Sequence, residues 1–299
     1  MIFDLTTMPE LPEVHTTVTG LQKLLPDLTI SDVWSDWPRQ IKNDFVTFKN
    51  ILKGSKIESV KRRGKNVLIH LVDGITLRVH MKMTGHLMYG EWEFKDGRWK
   101  GKTPGHIRDD PYNQYIHFVI TLSNGYHLAL CDSRKFGRIE VIRTDEMGSH
   151  PTIGLLGPEP LDKSLTPNVL LKKLQEHQNL PIKIALLNQN IIAGIGNIYA
   201  DETLWASGIM PTRKNVAISL TEARLLLASM RKILTKSISI GGDSKSDYRN
   251  VYGERGGYQN FHKAYRQSGK RCTKRGCGGI IERIVLGGRS SHFCPVHQH

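Results

Sequence analysis

The stretch Met8-Pro9-Glu10-Leu11-Pro12-Glu13-Val14 opens the one clear helix in the first half of this chain. Glu10 and Glu13 bracket a helix start, where the macrodipole favours negative charge. Pro12 fits the first turn, where a missing N–H costs nothing. Val14, Val18, Leu21 and Leu25 recur at helical spacing, so a helix is expected over 11–25. Downstream of this helix the pattern changes. Val67–Val72, Thr76–Met81, Tyr115–Leu122, Tyr126–Cys131 and Arg138–Ile142 are short runs rich in β-branched, aliphatic and aromatic residues. Ser123-Asn124-Gly125 between two of them is a hairpin signal, because Asn and Gly accept positive φ. An antiparallel β-sandwich with flanking helices is the architecture these pieces imply.

Residues 143–162 are rich in proline and glycine, lack periodicity and read as a linker. Helical patterns then take over at Asn168–His177, Leu180–Asn188, Asn197–Ser207 and Leu220–Ile238. The last has a capping box, Ser219 with Glu222, and a staple residue in Ile218. The expected class is α+β, in four segments. These are a β-sandwich domain over 1–142 (1–7 being an extension), the linker 143–162, a helical domain over 163–268 and a metal-binding tail over 269–299.

The charge is lopsided. The 299 residues hold 42 Lys/Arg against 28 Asp/Glu, a net of +14. From Arg213 to His299 the count is 17 against 5, so the last 87 residues carry +12 of it. A basic region of this kind attracts polyanions, nucleic acid first among them. Apolar runs such as 66–72 fall far short of the ~20 residues that span a bilayer, and MIFDLTT has neither a basic nor a long apolar region. A membrane or secreted protein is therefore not expected.

The tail reads Cys272-x4-Cys277-x16-Cys294-x2-His297. Two sulfurs on one knuckle and a Cys/His pair on another would close a tetrahedral zinc site around a β-hairpin, a structural site because no position stays open. His292 and His299 compete with His297 for the fourth place. Cys131, alone in an apolar run, reads as a buried thiol. Gly194-Ile195-Gly196-Asn197 leads into a helix whose first N–H groups suit a phosphate. Lys61–Lys65 is a basic loop entering a strand. Arg134 and Phe136 lie two apart at a loop tip, a spacing that suits wedging into a base stack, with Met83 a second wedge.

MPELPEV, RRGKN, DSRKFG, LGPEPL, GIGNIYADE and the zinc ribbon occur here in one order. From Met8 onward the chain resembles the formamidopyrimidine-DNA glycosylases, base-excision enzymes that share a fold with endonuclease VIII. The resemblance implies an enzyme of double-stranded DNA, removing 8-oxoguanine and formamidopyrimidines and cutting at abasic sites. It also implies a helix–two-turn–helix DNA-binding domain, a monomer, and a bacterial, cytoplasmic, nucleoid-associated location. In the family the terminal methionine is removed and the exposed proline is the nucleophile; Pro9 matches it. Glu10 matches the acid/base carboxylate, Glu13 a supporting acidic residue and Lys65 a phosphate-contacting lysine. Met83, Arg134 and Phe136 match the residues that fill the gap left by a flipped nucleotide. Asn197 and Arg289 match DNA-binding residues of the helical domain and the ribbon hairpin. Residues 251–259 align with the loop that folds over the everted base.

Two departures stand out. Seven residues precede Met8, so either translation begins at Met8, or the extension is processed, or the protein is a silent binder of damaged DNA. The first is the expectation. The ribbon has an x4 spacing and a terminal histidine where the family usually has CxxC twice. A sibling reading, an endonuclease VIII-like enzyme for oxidised pyrimidines, fits PELPEV and the Met-Arg-Phe set less well.

Overall fold

The computed structural model describes residues 8–177 and 179–299. The expectations for residues 1–7 lie outside the described residues. Residues 8–154 with 240–257 form one compact unit, and residues 155–239 with 258–299 form another.

The first unit begins with α1 (Leu11–Leu24). Glu10 is its N-cap, and a reciprocal capping box joins it to Glu13. Two four-stranded antiparallel sheets come next, five of whose eight strands fall on the hydrophobic runs. One has the order β1-β8-β9-β5, from Ile30–Ser35, Ile116–Leu122, His127–Cys131 and His86–Gly90. The other has the order β10-β4-β3-β2, from Arg138–Arg143, Ile75–His80, Asn66–Leu71 and Ile57–Arg63. Val14, Val18, Leu21 and Leu25 bury against Val33, Phe118 and Leu130 of the first sheet and Val67, Ile69, Leu77 and Val79 of the second. Each such side chain contributes about 1.5–3 kcal/mol of burial. A short helix, α2 (Phe45–Leu52), is capped by Asp44.

The basic stretch 61–65 is mostly strand. Lys61, Arg62 and Arg63 pair with Leu68, Val67 and Asn66, which leaves Gly64-Lys65 as a two-residue turn, with Gly64 at φ +56°. A hairpin of β6 (Trp92–Lys95) and β7 (Arg98–Gly101), with the one-turn α3 (His106–Asp109), stands outside the two sheets. The Phe94 and Trp99 rings pack on Trp34 at 5.5 and 5.9 Å.

Residues 240–257, grouped by sequence with the helical segment, pack in the β-rich unit. Tyr89 N donates to Val251 O (2.8 Å), and Val251 joins the core. The physical reason is apolar: Val251 and Tyr248 are buried, and their surface is covered by α1 and the sheets.

The second unit holds α4 (Pro167–Gln175), α5 (Ile182–Leu187), α6 (Asn197–Ser207) and α7 (Leu220–Ser239). The first eight residues of α6 are all buried. Ser219 and Glu222 cap α7 as their spacing implies: Ser219 N donates to Glu222 Oε2 (2.8 Å) and Glu222 N to Ser219 Oγ (3.3 Å). The linker's second half is pinned here, since Arg231 donates to the carbonyls of Pro160, Asp162 and Leu165. The chain ends in a hairpin of β11 (Glu282–Leu286) and β12 (Arg289–Phe293), turned at Gly287-Gly288. Among the described residues no helix is long and apolar enough to cross a membrane.

Candidate functional site

In the β-rich unit, Pro9, Glu10 and Glu13 are buried together at the start of α1. The Glu13 carboxylate is shared. Oε2 accepts from Glu10 N (2.8 Å) and Oε1 from Asp243 N (2.6 Å), while the Glu13 backbone oxygen accepts from Tyr248 Oη (2.8 Å). Burial pushes the Tyr248 phenol up, so it remains a donor at neutral pH. Gly242 makes this approach possible. At φ +82° a Cβ there would lie 2.8 Å from Glu13 Oε1. Gly256 is likewise a close-approach position, where a Cβ would meet the Gly242 oxygen at 2.3 Å.

Lys65 is buried at the β2–β3 turn. A polar network lies behind it. Asn66 Nδ2 closes the turn on Arg63 O, Arg78 Nε donates to Asn66 Oδ1 (2.8 Å), and Arg78 and Lys42 both pair with Glu140. Burial opposes ionisation of Glu140, but Lys42 and Arg78 win, and its carboxyl is held below the usual range.

Met83 sits half-buried in the turn before β5; Arg134 and Phe136 are exposed in the loop after β9. The Arg134 guanidinium lies 4.7 Å from the Phe136 ring centre. Asp132, fully buried, joins the two loops. It accepts from Thr84 Oγ1, the Gly137 N–H (2.7 Å) and the Arg134 N–H (3.3 Å). Sequence reasoning missed this carboxylate, because Thr84 lies 48 positions away. Asp132→Ala is expected to destabilise the β-rich unit by about 2–3 kcal/mol, from the loss of charge-assisted bonds. A urea unfolding curve that stays put would mean the loops are held by other contacts. Cys131, next to Asp132, is a buried thiol, its pKa pushed up by burial.

In the helical unit Asn197 opens α6 after Gly194 at φ +89°. Asn197 is buried, and neither of its amide atoms has a hydrogen-bond partner among the described residues. An orphaned buried amide costs about 1–3 kcal/mol, so the position suits a ligand that would satisfy it. Lys183 Nζ, fully buried, donates to Asn197 O (2.9 Å) and Asp201 Oδ1 (2.5 Å). Asp201 Oδ2 accepts from His292 N (3.0 Å) and Nδ1 (2.8 Å). This chain of bonds ties the Asn197 turn to β12, where Arg289 stands exposed. Its sequence signal was the charge inside apolar runs, Lys183 in Ile182–Leu187 above all.

Cys272, Cys277, Cys294 and His297 bring their ligand atoms within 4.8 Å of one another. Cys277 and Cys294 sulfurs are 3.6 Å apart, and His297 Nδ1 lies 3.4 Å from Cys272 Sγ and 3.8 Å from Cys277 Sγ. A tetrahedral zinc with Zn–S near ~2.3 Å and Zn–N near ~2.0 Å requires separations of about 3.5–3.8 Å, so the donor set fits. His297 Nε2 donates to Trp205 O (3.0 Å), which leaves the Nδ1 lone pair facing the sulfurs. His292 Nδ1 faces Asp201 instead.

The fold and these donors define a two-unit protein, a β-rich N-terminal unit and a helical unit that ends in a hairpin with a Cys3His cluster suited to a metal ion. Comparison with known proteins narrows the class. Residues 8–139 match the formamidopyrimidine-DNA glycosylase N-terminal domain, 156–249 the H2TH domain of the same enzymes, and 269–296 the zinc finger found in FPG and IleRS. The chain is 36% identical over 292 residues to the formamidopyrimidine-DNA glycosylase of Desulfitobacterium hafniense, covering 97% of this chain and 100% of that one. The Chloroflexus aggregans enzyme is 38% identical over 292 residues, covering 97% and 98%. A variant of the Lactococcus lactis protein, solved with Fapy-dG-containing DNA, superposes with a TM-score of 0.84 at 31% identity, covering 97% and 100%. The Lactococcus lactis protein with abasic-site DNA gives 0.82 at 31%, covering 97% and 99%. The chain belongs to the formamidopyrimidine-DNA glycosylase family.

Proposed function

We propose that this chain excises oxidised purines, 8-oxoguanine and formamidopyrimidines, from duplex DNA and then cuts the abasic strand, with the amine of Pro9 as nucleophile. The observation that carries the reading is the joint burial of Pro9, Glu10 and Glu13 at the start of α1, where the Glu13 carboxylate holds the Glu10 N–H. Once freed of the residues before it, Pro9 has an α-amine of pKa about 8, of which roughly a tenth is neutral at pH 7. The neutral amine forms a bond to the sugar C1′. The glycosidic pair leaves with the base, which takes a proton. Glu10 protonates the sugar ring oxygen as the C1′–O bond opens, and the nitrogen sheds its proton to give an iminium. Loss of a C2′ proton breaks the bond to the 3′ oxygen, and loss of a C4′ proton breaks that to the 5′ oxygen.

In this reading Lys65 binds phosphate beside the lesion, Met83 and Phe136 fill the vacated stack and Arg134 faces the unpaired base. Asn197 and Arg289 bind phosphates, the first satisfying its orphaned amide. One zinc held by Cys272, Cys277, Cys294 and His297 would have a structural role, folding the tail. The protein would act as a monomer in the bacterial cytoplasm.

The test is borohydride trapping on an 8-oxoguanine·cytosine duplex. A covalent adduct is expected with it and with an abasic duplex, and none with undamaged DNA. Trapping on thymine glycol alone would move the assignment to oxidised pyrimidines. A second reading rests on the peptide bond between Met8 and Pro9 in the chain as written. If that bond persists, the protein binds damaged DNA without cutting it.

A further inference from the structure

Arg249 is among the largest fully buried side chains of the protein. Its guanidinium forks onto Asp110, Nε to Oδ2 at 2.7 Å and Nη2 to Oδ1 at 3.2 Å. Nη1 donates to the carbonyls of Ser246 (3.0 Å) and Tyr248 (2.9 Å), and the Tyr112 ring centre lies 4.8 Å from Cζ. One side chain thus fixes two carbonyls of the segment 240–257 and anchors them to the arm beyond β7.

That arm grips the segment a second time. Asn113 Nδ2 donates to Gly253 O (3.2 Å) while Asn113 Oδ1 is held by His86 Nε2 (2.8 Å). The segment in turn touches both functional loops of this unit. Tyr248 Oη and Asp243 N hold Glu13, whose other oxygen holds Glu10 N, and Ser133 Oγ donates to Asp247 Oδ2 (2.7 Å) next to Arg134. A bonded path therefore runs from Asp110 through Arg249, Tyr248 and Glu13 to Glu10.

A buried ion pair is a poor way to gain stability, since apolar residues of the same volume often do as well or better. It is a good way to fix directions, because the planar fork admits few alternatives. We propose that Arg249, anchored on Asp110, is a positioning residue: it sets the segment 243–253 against Glu13 and thereby fixes where Pro9 and Glu10 stand for reaction. The inference rests on the reading of Pro9 and Glu10 as the reacting end.

The experiment compares Arg249→Met, Tyr248→Phe and the double variant Asp110→Asn/Arg249→Met with the unaltered protein, all beginning at Pro9. Single-turnover trapping is measured on a preformed abasic duplex at saturating enzyme, well below each Tm, beside the Kd for that duplex. Arg249→Met is expected to slow trapping by about 10- to 100-fold at unchanged Kd, the scale of a small misplacement of reacting groups. Tyr248→Phe shifts the rate in the same direction, and the double variant is no slower than Arg249→Met, because both changes break one path. A lowered Tm with an unchanged rate would overturn the inference, as would a rate loss that merely tracks weaker DNA binding. Amide hydrogen exchange at Glu10 and Asp243 gives a readout free of chemistry. Exchange faster in Arg249→Met supports the positioning role, and identical exchange refutes it. An unaltered protein that traps nothing defeats the proposed function, and the exchange result still decides whether Arg249 holds the α1 start.

Discussion

A chain that begins at Met8 or earlier is expected to give no borohydride-stable adduct, while the same chain beginning at Pro9 gives one at that residue. With Met8 attached, the Pro9 nitrogen belongs to an amide, and resonance removes its lone pair from chemistry. Released, it is a secondary amine holding roughly 200-fold more neutral form at pH 7 than an ordinary lysine. The difference in trapping rate between the two chains should exceed about 1,000-fold, the scale seen when a covalent nucleophile is removed. DNA binding should differ little. The α1 start is held by Glu10, Glu13 and Asp243, none of which precedes Pro9, and the wedge and helical-unit residues are untouched. Matched affinities with opposite trapping would isolate the amine as the cause. An adduct on the longer chain at Lys65, mapped by mass, would assign the chemistry to another nitrogen.

Much of this arrangement is legible along the chain, and the remainder fails for identifiable reasons. α1 and α7 announce themselves by periodicity and capping boxes, β3 and β9 by apolar runs buried on both faces, and β4, β8 and β10 by β-branched and aliphatic residues interrupted by Arg78, His117 and Glu140. β1 and β2 are half-exposed strands carrying Asp32 and Lys61–Arg63, so their alternation is diluted by charge. The hairpin β6–β7 packs through aromatic contacts to Trp34, a residue far upstream. At the site, the residues that share local motifs could be picked out: Glu10 with Glu13, Arg134 with Phe136, the cysteines with His297. The residues that hold them in place could not. Asp132 answers Thr84, Asp243 answers Glu13, and Arg249 answers Asp110, each across dozens to hundreds of positions. A lone charged residue in a sequence shows its cost of burial but not the partner that offsets it.

The tail sets the scale of the other large effect. The apolar cluster around its cysteines is small, Cys272, Ile281 and Cys294 with Trp205 and Cys277 packed alongside, too little to hold three thiols and an imidazole together unaided. Structural zinc sites in small peptides supply about 10–16 kcal/mol of apparent binding free energy, which is folding free energy there. Chelation, or Cys277→Ser, is therefore expected to unravel the 272–281 knuckle and free the hairpin that carries Arg289. The affinity for duplex DNA should fall by about 10- to 100-fold and the salt slope by about one to two units, each lost phosphate contact accounting for ~0.9. α6 and α7 should survive, because they pack on each other and on α4 and α5. His297→Ala should lose the metal, whereas His292→Ala should keep it and instead loosen β12 from Asp201, since the two imidazoles face different partners. Metal content by mass spectrometry separates these cases. Zinc retained in His297→Ala and lost in His292→Ala would exchange the two roles; a chain that never carries zinc and binds DNA equally well under chelation would make the cluster a group of thiols whose hairpin is held by Asp201 alone.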